Sequence, residues 1–557
     1  MNLRPFIPLV VVAAVVSGCI SESATSSTST ASTDAATGTG SDTIAATGAT
    51  FYKDIAPILQ QKCQGCHLSG GIAPFPLLTY ADVKGRAQGI VASTSALRMP
   101  PWGARDTALC KPRFGFQHDL RLSPVQLATL KSWADAGAPE GDPHASPTVS
   151  AALSLNLADS DVTAQPKVGY VASGNNDYFR CFVLDAEFKE RKYINGVQTI
   201  PGNPNVVHHV LVFADANNES AKKVDKDGGY DCFGGVGIQS QQLLSAWAPG
   251  AVPLEYPPNA GTPIEIGTKL VMQVHYHPTG QTAAIDLTKI QMRFTKGVPE
   301  YLGRSTLIGN FNGQVGNNGL MPGPNDPPGK VEFLIPAGKT AHTETMQFTL
   351  PSVLNNKPLP ELLVYGVGTH MHYVGRDMRI EVSRGSPQAP CIKAQLDLIS
   401  GCTAANCPGM GGMDMVNCAA AKCQKEVASL AGSCGDCLKT ELLKGVADQT
   451  ALYATCSVVP AKAPSNDPLE ECLVETPAWD FNWQRIYNYA APLDQLPRLH
   501  AGDTIKMTCT YDNSLGNPFV SLALQQKSLK DPVDVHLGET TLDEMCLSII
   551  QVLYKIN

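Results

Sequence analysis

From about residue 151 onward the chain is written in short runs of β-branched and aromatic residues. Gly, Pro and Asn break them, as in VVHHVLVF (206–213), KLVMQVHYHP (269–278) and ELLVYGVGTHMHYVG (361–375). Runs of this length suit strands and are too often punctuated for long helices, so the region is expected to be all-β and sandwich-like. The 49 Gly and 41 Pro of the 557 residues point the same way. Residues 50–141 read differently. FYKDIAPILQQKC (51–63) is amphipathic, and LSPVQLATLKSWADAG (122–137) opens with a Ser-Pro helix entry and closes near Gly137. The expectation is a multidomain chain: a small all-α domain at 50–141, a linker at 139–150, and all-β domains at 151–300 and 301–557. A Cys-rich insertion at 391–472 breaks the last domain.

Seventeen cysteines in a chain of this size indicate an oxidising compartment. The N-terminus agrees: a short basic start, an apolar run from Pro5 to Val16, then Ser17-Gly18-Cys19. Residues 1–18 therefore resemble a lipoprotein signal peptide with Cys19 as the lipidated residue, since the run is too short to span a bilayer. Ile20-Ser21 after the cysteine favours the bacterial outer membrane. Residues 19–49 are Ser, Thr, Ala, Gly and Asp almost throughout and read as a flexible tether. The net charge of −8 and the absence of a Lys/Arg cluster argue against nucleic acid as a partner.

Cys63-Gln64-Gly65-Cys66-His67 is CxxCH, the attachment signature of c-type haem. The two thiols would add to the haem vinyl groups and His67 would bind the iron. Met99, in Met99-Pro100-Pro101-Trp102, is placed to be the sixth ligand, a soft thioether that raises the haem potential. Residues 50–141 thus resemble a small class I cytochrome c.

Three histidine clusters lie in expected strands: His208-His209, His275-Tyr276-His277 and His370-Met371-His372. In a strand, residues two apart share a face, so His370 and His372 can converge. Adjacent histidines point oppositely, so His208 and His209 need a twist or bulge. Imidazole suits copper, and zinc equally.

The ordered series DYFRCFVLDAEF (177–188), VVHHVLVF, LLSAWAPGA (243–251), VMQVHYHP, THMHYVGRDM, MTCTYDNS (507–514) and TLDEMC (541–546) resembles the copper type II monooxygenases. That family includes dopamine β-monooxygenase and peptidylglycine α-hydroxylating monooxygenase. The resemblance implies two jelly-roll-like copper domains, with His208, His209 and His275 holding an electron-transfer copper. It implies that His370, His372 and Met545 hold the oxygen-binding copper and form the catalytic set. His277 has no ligand counterpart and reads as a supporting or solvent-facing residue. The implied cofactors are two coppers and one covalent haem per chain, with ascorbate or another one-electron donor. The implied partners are dioxygen, a small-molecule substrate, a redox protein, and the membrane through the lipid anchor. In the peptide-amidating branch an arginine precedes the HxH pair; here that position is Gly368. Leu547 and Ile549 stand where that branch has asparagine and tyrosine. Without a bidentate guanidinium the site lacks a carboxylate clamp, so peptide amidation is not expected.

The resemblance also implies disulfides Cys509–Cys546 and Cys181–Cys232. Ten cysteines are then unassigned: Cys110 and nine from Cys391 to Cys472. An odd number in the insertion means that one bond leaves it or one thiol stays single. Cys434 and Cys437 could be a redox pair, although stapling is the usual use in exported proteins. Met410, Met413 and Met415 could collect Cu(I) or form a plain loop. The leading function is copper-dependent hydroxylation of an activated C–H bond with electrons relayed through the haem. The alternative is a non-catalytic copper and haem protein for electron transfer or metal binding.

Overall fold

The computed structural model describes residues 48–556 apart from gaps, the longer being 148–155, 278–283, 311–317, 386–390, 429–433, 439–455 and 457–466. The signal segment, Cys19 and nearly all of the tether lie outside the described residues. No described helix is long and apolar enough to cross a membrane. The chain is mostly β-sheet with few helices, and it divides into two compact units.

The smaller unit holds the described residues up to Pro101 and from Leu120 to 147. Its helices are Ala56–Lys62, Tyr80–Lys84, Ala87–Ser95 and Pro124–Asp135. The Ser-Pro entry forms a capping box: the Ser123 hydroxyl accepts from Gln126 N at 3.1 Å, and Gln126 Oε1 accepts from Ser123 N at 2.9 Å. Pro124 fits the first turn because no N–H is needed there. Phe51, Ile55, Leu59, Leu130 and Trp133 form the core. The indole of Trp133 donates to Pro139 O at 2.9 Å, which satisfies its one buried polar atom.

The larger unit takes the described residues from 156 onward and also Trp102–Asp119. That stretch was expected within the helical region. It is instead stitched to strands of the β unit. Gln117 N donates to Asn488 O at 2.7 Å, Ala490 N to Gly115 O at 2.8 Å, and Cys110 is bonded to Cys472.

An antiparallel five-stranded sheet runs Gly229–Asp231, Tyr178–Leu184, Lys269–Tyr276, Val207–Asp215, Gln241–Trp247. A second five-stranded sheet runs Asn318–Leu320, His342–Thr349, Thr504–Tyr511, Gly375–Ser383, Glu470–Thr476. A ten-stranded sheet takes strands from both expected β domains. Ala260–Ile264 pairs with Tyr301–Gly309, followed by Leu547–Lys555, Leu362–His370 and Ile486–Asn488. The expected border at 300 is therefore a strand pairing rather than a gap. Thr262 Oγ1 donates to Gly303 O across it at 2.9 Å. Between its ends, Leu362–His370 is buried throughout, so both faces are covered, as sheet-on-sheet layering requires.

Both disulfides implied by the resemblance are formed, Cys181–Cys232 and Cys509–Cys546. Within the insertion, Cys391 joins Cys434, Cys402 joins Cys423, Cys407 joins Cys418 and Cys437 joins Cys456. Cys434 and Cys437 are thus staples rather than a redox pair. The odd cysteine is Cys472, whose bond leaves the insertion for Cys110.

Candidate metal centre

His208 and His209 sit near the start of Val207–Asp215, beside Lys269–Tyr276. In that ladder His275 opposes His209 and Tyr276 opposes Val207, so His208 is the extra residue of a β-bulge. The bulge is what lets two adjacent side chains turn to one side. The Nδ1 atoms of His208 and His209 are 3.2 Å apart, and those of His275 and His209 are 3.3 Å apart. Ligand atoms of the three all lie within 4.8 Å of one another. Bonds of about 2.0 Å from a metal to imidazole nitrogens place tetrahedral ligands about 3.3 Å apart, which is this spacing. Burial, with the neighbouring imidazoles adding to it, pushes His208 and His209 well below the usual imidazole range. Both are held in the neutral form that ligates metal.

Around this cluster, Phe179 stacks on His275 (4.4 Å, 16°) and Phe481 on His208 (4.2 Å, 15°). Asp177 accepts a hydrogen bond from His277 Nδ1 at 2.5 Å and lies 3.7 Å from His275 Nε2. His277 therefore anchors a carboxylate behind the cluster.

His370 ends its strand opposite Leu547, and His372 follows two residues on, with their rings 5.2 Å apart. Met371 between them is fully buried. Each imidazole is tied by Nδ1: His370 to Gln484 Oε1 at 2.6 Å and His372 to Asp543 O at 3.0 Å. The Nε2 atoms are the ones left for a metal. Burial lowers His370, and burial with His370 nearby pushes His372 down to about 3. Met545 lies on the segment leading into Leu547–Lys555, antiparallel to this pair. Its backbone is pinned by Tyr511, whose hydroxyl donates to Met545 O at 3.0 Å, and by the adjacent Cys509–Cys546 bond. The buried carboxyl of Glu544 accepts from the backbone N–H of both His372 and Met545, joining the segments that carry them. Burial pushes that carboxyl up to about 8.

The two clusters adjoin: the rings of His209 and His370 are 5.9 Å apart. Phe481 lies flat on His208 and edge-on to His372 at 6.3 Å. Trp479 Nε1 donates to His372 O at 3.2 Å. One loop, residues 479–485, thus touches both clusters. Asp177, Glu544, Phe481 and Gln484 were not singled out from the sequence. The dense aromatic text WDFNWQR (479–485), just after the insertion, is the signal that could have drawn notice.

In the helical unit, Cys63 and Cys66 stand outside the disulfide set, at the end of Ala56–Lys62. Burial pushes the Cys63 thiol up to about 12. His67 Nδ1 is tied to Phe75 O at 2.9 Å, leaving Nε2 for a ligand. Met99 is half-buried in the same unit. The thiols of Cys63 and Cys66 and Nε2 of His67 are the donors that a covalent haem would take.

Residues 166–283 match the family described as copper type II ascorbate-dependent monooxygenase, N-terminal domain. Within that span the chain is similar to the copper type II monooxygenases. His208, His209 and His275 all fall inside it. Among curated proteins, DBH-like monooxygenase protein 2 of Homo sapiens is 26% identical over 193 residues, covering 33% of this chain and 34% of that protein. The chain thus spans about a third of that relative's length. Among solved structures, peptide N-glycanase F and the major capsid protein P2 of bacteriophage PM2 are each 10% identical over 71% of this chain. They cover 99% and 98% of those chains, with TM-scores of 0.21 and 0.20, too low to define a shared fold.

Proposed function

We propose that the chain is a copper-dependent monooxygenase that hydroxylates an activated C–H bond of a small molecule, fed with electrons through a covalent c-type haem. The observation that carries this reading is the pair of adjoining buried histidine clusters. One converges through Nδ1, and the other has its Nδ1 atoms tied back and Nε2 left over. Such a pair suits two metals of different roles. His208, His209 and His275 would hold the electron-transfer copper; His370, His372 and Met545 the oxygen-binding one. Copper there would supply one-electron chemistry toward dioxygen, and the thioether of Met545 favours its reduced state. The protein's part is to keep the imidazoles neutral by burial, fix their tautomers through Gln484 and Asp543, and exclude water with Phe481 and Phe179. Gly368 leaves no side chain for a substrate carboxylate, which favours amines and similar benzylic compounds over peptide acids.

Cys63 and Cys66 would carry the haem, with His67 and Met99 as axial ligands. Cys19 would carry the lipid that holds the exported chain to the outer membrane, through the 19–49 tether.

The test is anaerobic reduction of the copper-loaded, haem-loaded protein, then addition of labelled dioxygen with a panel of aromatic amines. Labelled hydroxylated product supports the enzyme. Full metal loading without product across the panel favours the electron-transfer alternative. Stopped-flow absorbance in the same experiment should show haem reoxidation at the turnover rate. Haem that stays reduced while product forms removes the relay.

A further inference from the structure

We propose that Gln484 is a positioning residue for the His370, His372 and Met545 centre, deciding which imidazole nitrogen His370 presents. The inference rests on the copper reading above. An imidazole has two nitrogens, and the hydrogen bond made by one decides which faces a metal. Gln484 Oε1 lies 2.6 Å from His370 Nδ1. Its own amide cannot flip freely, because Gln484 Nε2 donates to Phe481 O at 3.1 Å. A flip would set carbonyl oxygen against carbonyl oxygen and N–H against His370. The amide oxygen therefore faces His370 and can only accept. His370 must then carry its hydrogen on Nδ1 and offer Nε2.

The second histidine of the pair is secured differently. His372 Nδ1 meets a backbone oxygen, Asp543 O at 3.0 Å, which no side-chain replacement removes. The tautomer of His370 thus hangs on one mutable side chain, and Gln484 is only 8% exposed, so water is poorly placed to substitute for it. Its neighbours hold the loop in place. Arg485 donates to Gly250 O at 2.7 Å, and Ile486 packs over Gly368, where a Cβ would come within 3.0 Å of it. The residue supplying the anchoring carbonyl, Phe481, stacks on His208 of the other cluster. The loop that sets His370 is therefore seated on the neighbouring centre.

The test is Cu(I) titration of the full-length protein against a competing chelator, for wild type, Gln484→Leu, Gln484→Met and Gln484→Glu. Leu and Met keep the bulk and remove the acceptor; Glu keeps the acceptor and, protonated on its other oxygen, the donor to Phe481 O. Loss of an outer-sphere partner of a ligating histidine weakens metal binding about 10- to 100-fold. Leu and Met should lose that factor in one of two copper equivalents and leave the other as in wild type. Glu should stay close to wild type. The metal-free melting temperature of each variant separates folding from ligation. Wild-type affinity for both equivalents in Leu and Met overturns the proposal. So does a Glu variant that loses about 10-fold or more against wild type, a comparison that stands even where Leu and Met fail to fold. A wild-type protein that takes up fewer than two equivalents overturns the copper reading itself.

Discussion

His209 and His370 face each other with ring centroids 5.9 Å apart and planes at 86°. They come from strands of different sheets in the β unit, and each belongs to a different cluster. His209 converges with His208 and His275, whereas His370 and His372 are tied to Gln484 and Asp543, which leaves two separable histidine sets. His209→Ala and His370→Ala should therefore each lower copper content from two equivalents to one by elemental analysis, and the double variant should bind none. A single substitution that abolishes both would mean that the clusters form one site.

If the proposed copper reading holds, Met545→Ala should remove most hydroxylase activity and leave a folded protein. The cost of emptying a buried methionine site is about 2–5 kcal/mol. The Cys509–Cys546 bond still pins the segment. Activity assays beside a denaturation curve check both halves, and full activity would show that the thioether is not a ligand.

Glu544→Leu removes the acceptor for the buried N–H groups of His372 and Met545. Two orphaned amides at about 1–3 kcal/mol each outweigh the relief of a buried carboxyl, so the metal-free protein should lose about 2–4 kcal/mol. The midpoint in denaturant measures this.

Gly368→Arg should not create a carboxylate-binding site. A Cβ at this position would lie 3.0 Å from Ile486 Cγ1 and 3.5 Å from Arg485 O, so the Ile486 side chain must give way by a few tenths of an ångström before any longer side chain is fitted. Overpacking of this kind costs about 1–3 kcal/mol. The variant should melt lower and turn over C-terminal peptide acids no better than wild type.

The Asp177–His277 pair should give a pH signature in the metal-free protein. Burial alone would raise the Asp177 carboxyl, but the hydrogen bond from His277 and the nearby imidazole of His275 hold it well below the usual range. Its contribution is present above the unfolded value of about 3.9 and is lost as pH falls through the folded value. The hydrogen bond to Asp177 raises His277. That contribution is complete below about pH 6.5 and is lost as pH rises through its folded value. The stability gap between wild type and His277→Gln should thus be widest at about pH 5 and narrow above neutrality.

The strand text around His208, His275 and His370 made the β architecture legible, because alternation and punctuation act locally. The Ser-Pro helix entry at Ser123 was legible for the same reason. What escaped was assembled over distance. Asp177 meets His277 only because two strand ends adjoin, and Gln484 reaches His370 from a loop whose aromatic text has no period that would place it. Trp102–Asp119 looked like part of the helical region because nothing local reveals that Cys110 pairs with Cys472. The bulge at His208 was required by two neighbouring histidines sharing a site, but its place in the ladder depends on the partner strand.

Cys110 and Cys472 are joined across 362 residues of sequence. A protease that nicks the backbone once between them leaves two pieces that still travel together. On a gel run without reductant such a chain passes for intact, and it comes apart only when thiol is added. A cut before Cys110 instead leaves the segment of Cys63 and Cys66 held only by packing, so that it separates on a denaturing gel even without thiol. Purified material judged whole by non-reducing electrophoresis can therefore carry severed loops, and paired lanes with and without reductant tell the two apart.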